Sequence, residues 1–194
     1  MGVRAVAFTD IVGSTSLLER LGDERWSSLL AEHDSVVTAR VEAWGGRVVK
    51  SQGDGLLLTF PSSRAALSAA VGVQAALRPW SHPCVGVAVR IGVHAGPVLE
   101  RDGDVLGLTV HLASRVTRLA HGGEVLASEA VRALVRRDAA LPFGPARTVR
   151  VRGSSRFLSV APLDWAAADA QDDDDAEPVT LPSAWRTWRL APVP

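Results

Sequence analysis

The stretch Arg47-Val48-Val49-Lys50-Ser51-Gln52-Gly53-Asp54-Gly55-Leu56-Leu57-Leu58-Thr59-Phe60 decides the fold class. Two short apolar runs flank Gly-Asp-Gly, which predicts a β-hairpin. A tight hairpin pairs consecutive strands antiparallel, and this argues against a doubly wound parallel sheet. Asp54 sits in the turn, where Asp-Gly is a common pair on conformational grounds alone. It gains interest from a second stretch, Val6-Ala7-Phe8-Thr9-Asp10-Ile11-Val12-Gly13-Ser14-Thr15. That stretch reads as a buried strand that ends on Asp10 and turns through Gly13 into a helix. Ser14, Thr15 or Ser16 is expected to cap the helix, and Ser16 with Glu19 has capping-box spacing. If the hairpin lies beside the first strand, Asp10 and Asp54 converge at one rim of the sheet. A carboxylate there can hold a hard cation, while the free N–H groups of a helix N-terminus receive phosphate oxygens.

Outward from these two stretches the pattern alternates between helix and strand. From Asp23, the residues Trp26, Leu29, Leu30, His33, Val37, Val41 and Trp44 recur at helical spacing, and Gly45-Gly46 ends that helix. His33 lies on its apolar face and reads as a packed, hydrogen-bonded core residue. Pro61-Ser62-Ser63 opens a helix with a buried stripe of Ala66, Ala69, Ala70, Val73, Ala76 and Leu77, and Pro79 stops it. Val85 to Val98 is a β-rich run in which Gly92 and Gly96 suggest a bend or bulge, and His94 reads as structural. A loop follows at Arg101-Asp102-Gly103-Asp104. A helix from about Thr109 to Ala120 then sets His111 and Arg115 one turn apart on the same face. Val125-Leu126-Ala127 is a short strand, Ser128 caps a helix to about Arg137, and Thr148–Arg152 with Phe157–Val160 form a last hairpin.

The resulting order of strand, helices, hairpin, helix and strand predicts an α+β fold. Its centre is a ferredoxin-like βαββαβ core with added C-terminal helices and a hairpin. One domain is expected over residues 1–163. Residues 164–194, Ala-rich and then carrying Asp172-Asp173-Asp174-Asp175 and several prolines, read as a largely disordered tail. Within that tail, Ala184-Trp185-Arg186-Thr187-Trp188-Arg189-Leu190 is the one segment with the composition to dock on something.

Lys plus Arg and Asp plus Glu each number 21, so no overall field favours nucleic acid or an anionic membrane. The lone cysteine, Cys84, excludes an internal disulfide and fits a reducing cytoplasm. No apolar run reaches the roughly 18 residues that would span a bilayer. There is no signal-peptide pattern, and no N-terminal sensor domain is expected ahead of the first strand. The expected location is therefore cytoplasmic.

Four segments, in order, resemble the catalytic domain of the class III nucleotidyl cyclases of the bacterial adenylate/guanylate type. They are Phe8-Thr9-Asp10-Ile11-Val12-Gly13-Ser14-Thr15, Lys50-Ser51-Gln52-Gly53-Asp54-Gly55, Ile91-Gly92-Val93-His94-Ala95-Gly96-Pro97-Val98, and Asp104 through Arg115. The resemblance runs from about Arg4 to Val160. It implies an adenylate cyclase that converts ATP to 3′,5′-cyclic AMP and pyrophosphate. It also implies a head-to-tail homodimer with active sites shared between protomers, and two divalent cations, Mg²⁺ or Mn²⁺.

By the same resemblance Asp10 and Asp54 are the metal carboxylates, with the backbone carbonyl of Ile11 as a further ligand. Lys50 and Asp104 occupy the base-specifying positions. Lysine only donates and ionised aspartate only accepts, which complements the N1 acceptor and N6 donor of adenine. Arg115 matches the arginine that meets charge on the α-phosphate. Arg152 stands where a triphosphate-binding lysine is usual. His111 is a departure: the family has an asparagine there that orients the ribose. A neutral imidazole also donates one hydrogen bond, but it is bulkier. Two alternatives follow, a catalytically weak or inactive module that binds nucleotide and regulates a partner, and a guanylate cyclase, which Lys50 and Asp104 disfavour.

Overall fold

A computed structural model describes residues 2–81, 86–150 and 157–172. The chain begins with β1 (Gly2–Ile11), α1 (Ser14–Leu21), α2 (Asp23–Ala43), β2 (Arg47–Gln52), β3 (Gly55–Phe60) and α3 (Ser63–Leu77). After a 3-10 turn at Arg78–Ser81 come β4 (Val89–Arg101), β5 (Asp104–Leu106), α4 (Leu108–Leu119), β6 (Val125–Ser128) and α5 (Glu129–Val135). The last elements are β7 (Arg147–Arg150), β8 (Phe157–Leu163) and α6 (Trp165–Asp172).

The eight strands form one sheet in the order β2-β3-β1-β4-β6-β8-β7, with β5 added to β4. β1 is antiparallel to both β3 and β4, and β2 to β3, so the first four strands have the expected split ferredoxin-like pairing. The Gly-Asp-Gly hairpin is therefore present as read. Among the described residues only β4 and β6 pair parallel.

Strand alternation divides the core between two faces. Ala5, Ala7 and Ile11 of β1, with Ile91, Val93 and Ala95 of β4, pack in the large cluster with Leu29, Val37 and Val41 of α2 and the alanine stripe of α3. Val6 and Phe8 point the other way and pack with Leu57, Val98, Val105 and Ala113 of α4. Asp10 continues this second register, so it emerges on the face that α4 covers.

Gly92 and Gly96 explain how close α4 comes. A Cβ at Gly92 would stand 2.2 Å from the Thr117 backbone nitrogen, and one at Gly96 would stand 2.7 Å from Thr109 Oγ1. The expected bend or bulge is absent. β1 and β4 stay in unbroken register from Gly2↔Val98 to Ile11↔Val89. The glycines serve the close approach of a helix backbone to the sheet.

Four further local expectations change. Gly13, at φ 70°, is the N-cap of α1 and no side chain caps it, because the chain leaves β1 through the left-handed region. The Ser16/Glu19 capping box therefore does not form. Ser128 precedes α5 without making a cap bond, since its hydroxyl is 2.7 Å from His94 Nδ1 instead. Arg101–Asp104 is the turn of a β4–β5 hairpin, with Asp102 at φ 52° and Gly103 at φ 80°. The start of the expected tail is helix α6. There Trp165 Nε1 donates to the Gly123 carbonyl at 2.7 Å, and Arg78 pairs with Asp169 at 3.1 Å and lies over the Trp165 ring. Residues 173–194, Cys84 and Arg152 lie outside the described residues. Among the described residues no helix is long and apolar enough to cross a membrane.

Both singled-out core histidines are buried. His33 has Nδ1 2.9 Å from Asp34 Oδ1, while its Nε2 has no partner among the described residues. His94 is sealed under the α4 face, and burial pushes its imidazole below the ordinary 6.5.

Candidate active site

The ends of β1 and β3 build the carboxylate half of the site. Pairing of Phe8 with Leu57 carries the two strands on toward Asp10 and Gly55. The strands come so close there that a Cβ at Gly55 would stand 2.4 Å from the Thr9 carbonyl oxygen and 3.6 Å from the Asp10 Cα. Thr9 Oγ1 completes the contact by accepting from the Leu56 N–H at 3.1 Å. Asp54, one residue before Gly55 in the hairpin turn, is thus brought to the rim where β1 ends. This backbone contact sets the turn that carries Asp54 beside the end of the strand that carries Asp10.

Asp10 has a partner that motif reading missed. It lies directly across from Arg90 in the β1–β4 register. Arg90 Nε donates to Asp10 Oδ2 at 2.6 Å, and a second guanidinium nitrogen reaches the same oxygen at 2.5 Å. Pairing the first strand antiparallel with the Ile91-Gly92 strand would have brought this arginine to light. Both contacts fall on Oδ2, and among the described residues none falls on Oδ1.

The donors at this rim are of the kind that suit a divalent cation. The Asp10 and Asp54 carboxylates are hard oxygen ligands. Ile11 is buried, so its backbone carbonyl is the one donor oxygen it offers. Among the described residues no group of three or more His, Cys, Asp or Glu forms a cage. Mg²⁺ is typically held by one or two carboxylates together with substrate phosphates, so this sparse oxygen set fits it.

Lys50, on the edge strand β2, and Asp104, at the start of β5, meet although fifty-four residues apart. Lys50 Nζ donates to Asp104 Oδ2 at 2.6 Å, and the Val105 N–H donates to Oδ1 at 2.8 Å. The lysine first, then the amide, hold the Asp104 carboxyl below its usual range. Both side chains remain more than a third exposed. The ammonium keeps two further donors and the carboxylate keeps lone pairs for a ligand.

The side chains of His111 and Arg115 stand exposed on α4, and among the described residues neither side chain has a hydrogen-bond or ion-pair partner. They do not line the cavity beside Asp10. That cavity, of about 160 Å³, is walled by Phe8, Thr9, Asp10, Gln52, Gly55, Arg90, Ser114, Thr117 and Arg118. Within one chain, then, the sequence-predicted residues fall into separate groups. Asp10, Ile11 and Asp54 share the rim, Lys50 and Asp104 pair with each other, and His111 and Arg115 face outward.

Comparison with known proteins agrees with this architecture. Residues 3–160 match the family described as the adenylate and guanylate cyclase catalytic domain. An adenylate cyclase of Streptomyces coelicolor is 36% identical over 126 residues, covering 65% of this chain and 32% of that protein. An adenylate cyclase of Glutamicibacter nicotianae is 30% identical over 166 residues, covering 86% of this chain and 40% of that protein. The chain therefore spans well under half the length of these curated relatives. Among solved structures, an adenylate/guanylate cyclase/hydrolase from Silicibacter pomeroyi superposes with a TM-score of 0.74 at 25% identity, covering 84% of this chain and 96% of that one.

Proposed function

The chain belongs to the adenylate and guanylate cyclase catalytic-domain family, and within it we propose an adenylate cyclase that forms 3′,5′-cyclic AMP from ATP. The ribose 3′-oxygen bonds to the α-phosphorus. The bond from that phosphorus to the oxygen bridging the β-phosphate breaks, pyrophosphate leaves with the electron pair, and the hydroxyl proton passes to solvent. Such transfers depend mainly on positioning and on stabilising charge.

The Lys50–Asp104 pair is the observation that carries the choice of adenine. A donor-only and an acceptor-only group stand 2.6 Å apart, and their polarity matches N1 and N6 of adenine and opposes N1 and O6 of guanine. Arg115 offers a guanidinium for charge developing on the α-phosphate, and the imidazole of His111 offers one donor to the ribose. Arg152 is proposed for the triphosphate on sequence position alone. Asp10, Asp54 and the Ile11 carbonyl would hold two divalent cations, Mg²⁺ or Mn²⁺. When bound, these activate the hydroxyl and neutralise the triphosphate.

The separation of the groups within one chain supports a homodimer. Asp10 and Asp54 of one copy would be completed by Lys50, Asp104, His111 and Arg115 of the other. With ATP as substrate and one cysteine in the chain, the proposed compartment is the cytoplasm.

The test is product analysis on purified protein given ATP or GTP in Mn²⁺ or Mg²⁺, beside an Asp54→Ala control. Cyclic AMP that disappears in the control supports the reading. A folded dimer that binds ATP but makes no cyclic product overturns it in favour of a nucleotide-binding regulatory module. His111, in the place of the family's asparagine, is the feature that favours that second reading.

A further inference from the structure

Helix α6 begins past residue 160, where the match to the cyclase family ends. A helix of eight residues is marginal in water by itself, so α6 depends on what it docks against. Asp164 Oδ1 accepts the Ala167 N–H at 3.1 Å, Ala168 is buried, and Arg78 of the turn after α3 pairs with Asp169 and lies over the Trp165 ring. The half-buried indole carries this dock inward. Its Nε1 donates to the Gly123 carbonyl at 2.7 Å.

Gly123 belongs to the turn at residues 121–124, and that turn is hooked to the strand behind the carboxylate rim. The Gly123 N–H donates to the Val89 carbonyl at 2.9 Å, and the Ile91 N–H donates to the Glu124 carbonyl at 3.0 Å. The two bonds bracket Arg90, whose guanidinium pairs with Asp10. Gly122 lies against the exit of β1: a Cβ there would stand 2.9 Å from the Ala88 Cβ and 3.5 Å from Val12 Cγ2. The Val12 N–H in turn donates to the Ala88 carbonyl at 2.9 Å, and Val12 leads into Gly13, the N-cap of α1. Ile11, between Asp10 and Val12, lies across from Val89. One turn therefore touches both the strand that presents Arg90 and the end of the strand that presents Asp10 and the Ile11 carbonyl.

We infer that Trp165 is a positioning residue for the carboxylate rim: through the Gly123 carbonyl it fixes the 121–124 turn, and through that turn Arg90, Asp10 and the exit of β1. The inference rests on the proposed reaction for its consequence at the metal ligands, but not for the coupling itself. It sets the C-terminal edge of the working unit at α6 rather than at Leu163. It also gives the rim an input from outside the family-matched residues, since anything that draws α6 off its dock releases the indole from the turn.

The test compares full-chain wild type, Trp165→Phe and Arg78→Ala. Trp165→Phe keeps a ring beneath Arg78 and loses the N–H, whereas Arg78→Ala keeps the N–H and loses the ion pair and the cation–π contact. Two readouts are taken: hydrogen–deuterium exchange resolved by peptide, and Mn²⁺ affinity by electron paramagnetic resonance with a non-hydrolysable ATP analogue present. Trp165→Phe is expected to speed exchange about fivefold, the scale of one lost hydrogen bond, in residues 9–14, 86–92 and 121–126, with residues 55–60 unchanged. Mn²⁺ affinity should fall about threefold or more in the same variant. Arg78→Ala should stay near wild type in both readouts. A general loss of stability would speed exchange in residues 55–60 as well, and that result overturns the inference. So does rim exchange equal in wild type and Trp165→Phe, or faster rim exchange with unmoved Mn²⁺ affinity. Equal loosening by Arg78→Ala overturns the assignment to the indole hydrogen bond. Failure of the proposed reaction is read separately. Wild type that forms no cyclic product, while Trp165→Phe loosens the rim and weakens Mn²⁺ binding, breaks the cyclase reading and leaves the coupling standing.

Discussion

The rim at Asp10 and the outward face of α4 are opposite solutions to placing charge. At the rim the chain supplies everything that orients the carboxylate. The β1–β4 register sets Arg90 opposite Asp10, and Gly55 lets β3 touch the backbone that carries it. On α4 the helix is pressed against the sheet through Gly92 and Gly96, so its position is equally firm. Yet His111 and Arg115 project from it with nothing in the described chain to meet them. One region is oriented from within the chain, and the other projects from a firmly seated helix with no partner among the described residues. Preorganised charge of the second kind is useful when a second copy brings the complement.

The largest effects should come from separating the two regions. Asp54→Ala and Arg115→Ala should each lower cyclic AMP formation by about a hundredfold or more. Mixed after dissociation, the two inactive variants should recover about a quarter of wild-type activity, because half of the random dimers carry one intact site of two. No recovery, with mixed dimers shown to form, would break the comparison at its root.

Next in size is base choice. Lys50→Ala leaves Asp104 without its main partner and removes the donor proposed for adenine N1. The ratio of ATP to GTP turnover should fall about tenfold, the scale of one charged hydrogen bond. An unchanged ratio would detach the Lys50–Asp104 pair from recognition.

Gly92→Ala probes how firmly α4 is held. Its methyl would enter the Thr117 backbone, so stability should drop by about 1–3 kcal/mol in denaturant unfolding, with activity falling as α4 shifts. A neutral result would mean that the helix rides more loosely than the spacing indicates.

A smaller, pH-dependent term comes from His94. Burial depresses its imidazole below the ordinary 6.5, so the folded chain resists a proton that the unfolded chain accepts. Its contribution is fully present above 6.5 and is lost as pH falls from there toward the depressed folded value. The slope is at most about 1.4 kcal/mol per pH unit. His94→Gln should flatten the stability–pH curve in that window, and an identical slope would show that another group dominates. The smallest effect is expected at α6. Arg78→Ala removes an exposed ion pair and a cation–π contact and should cost no more than about 1 kcal/mol, read as a small drop in Tm.

Much of this was legible from local signals. Apolar runs around Gly-Asp-Gly gave the hairpin, the spacing from Trp26 to Trp44 gave α2, and Ser62 caps α3 through the Ala65 N–H as the Pro-Ser-Ser start suggested. Other features failed on local grounds. Gly92 and Gly96 looked like bends because a glycine in a strand has several uses, and only the helix lying on them selects one. Ser128 looked like a cap because nothing nearby in sequence reveals that His94 claims its hydroxyl. Trp165 to Asp172 looked like tail because an Ala-rich stretch becomes a helix only when a surface such as α3 receives it.

Neighbouring residues alone carry the α+β class, the antiparallel hairpin and the donor or acceptor types of Asp10, Asp54, Lys50 and Asp104, because periodicity, turn chemistry and hydrogen-bond polarity are local properties. The folded chain decided that Arg90 pairs with Asp10, that Lys50 meets Asp104, and that Arg118 lines the cleft beside Asp10. Those pairings join residues tens of positions apart through strand register and the seat of α4, which no single stretch of the chain contains.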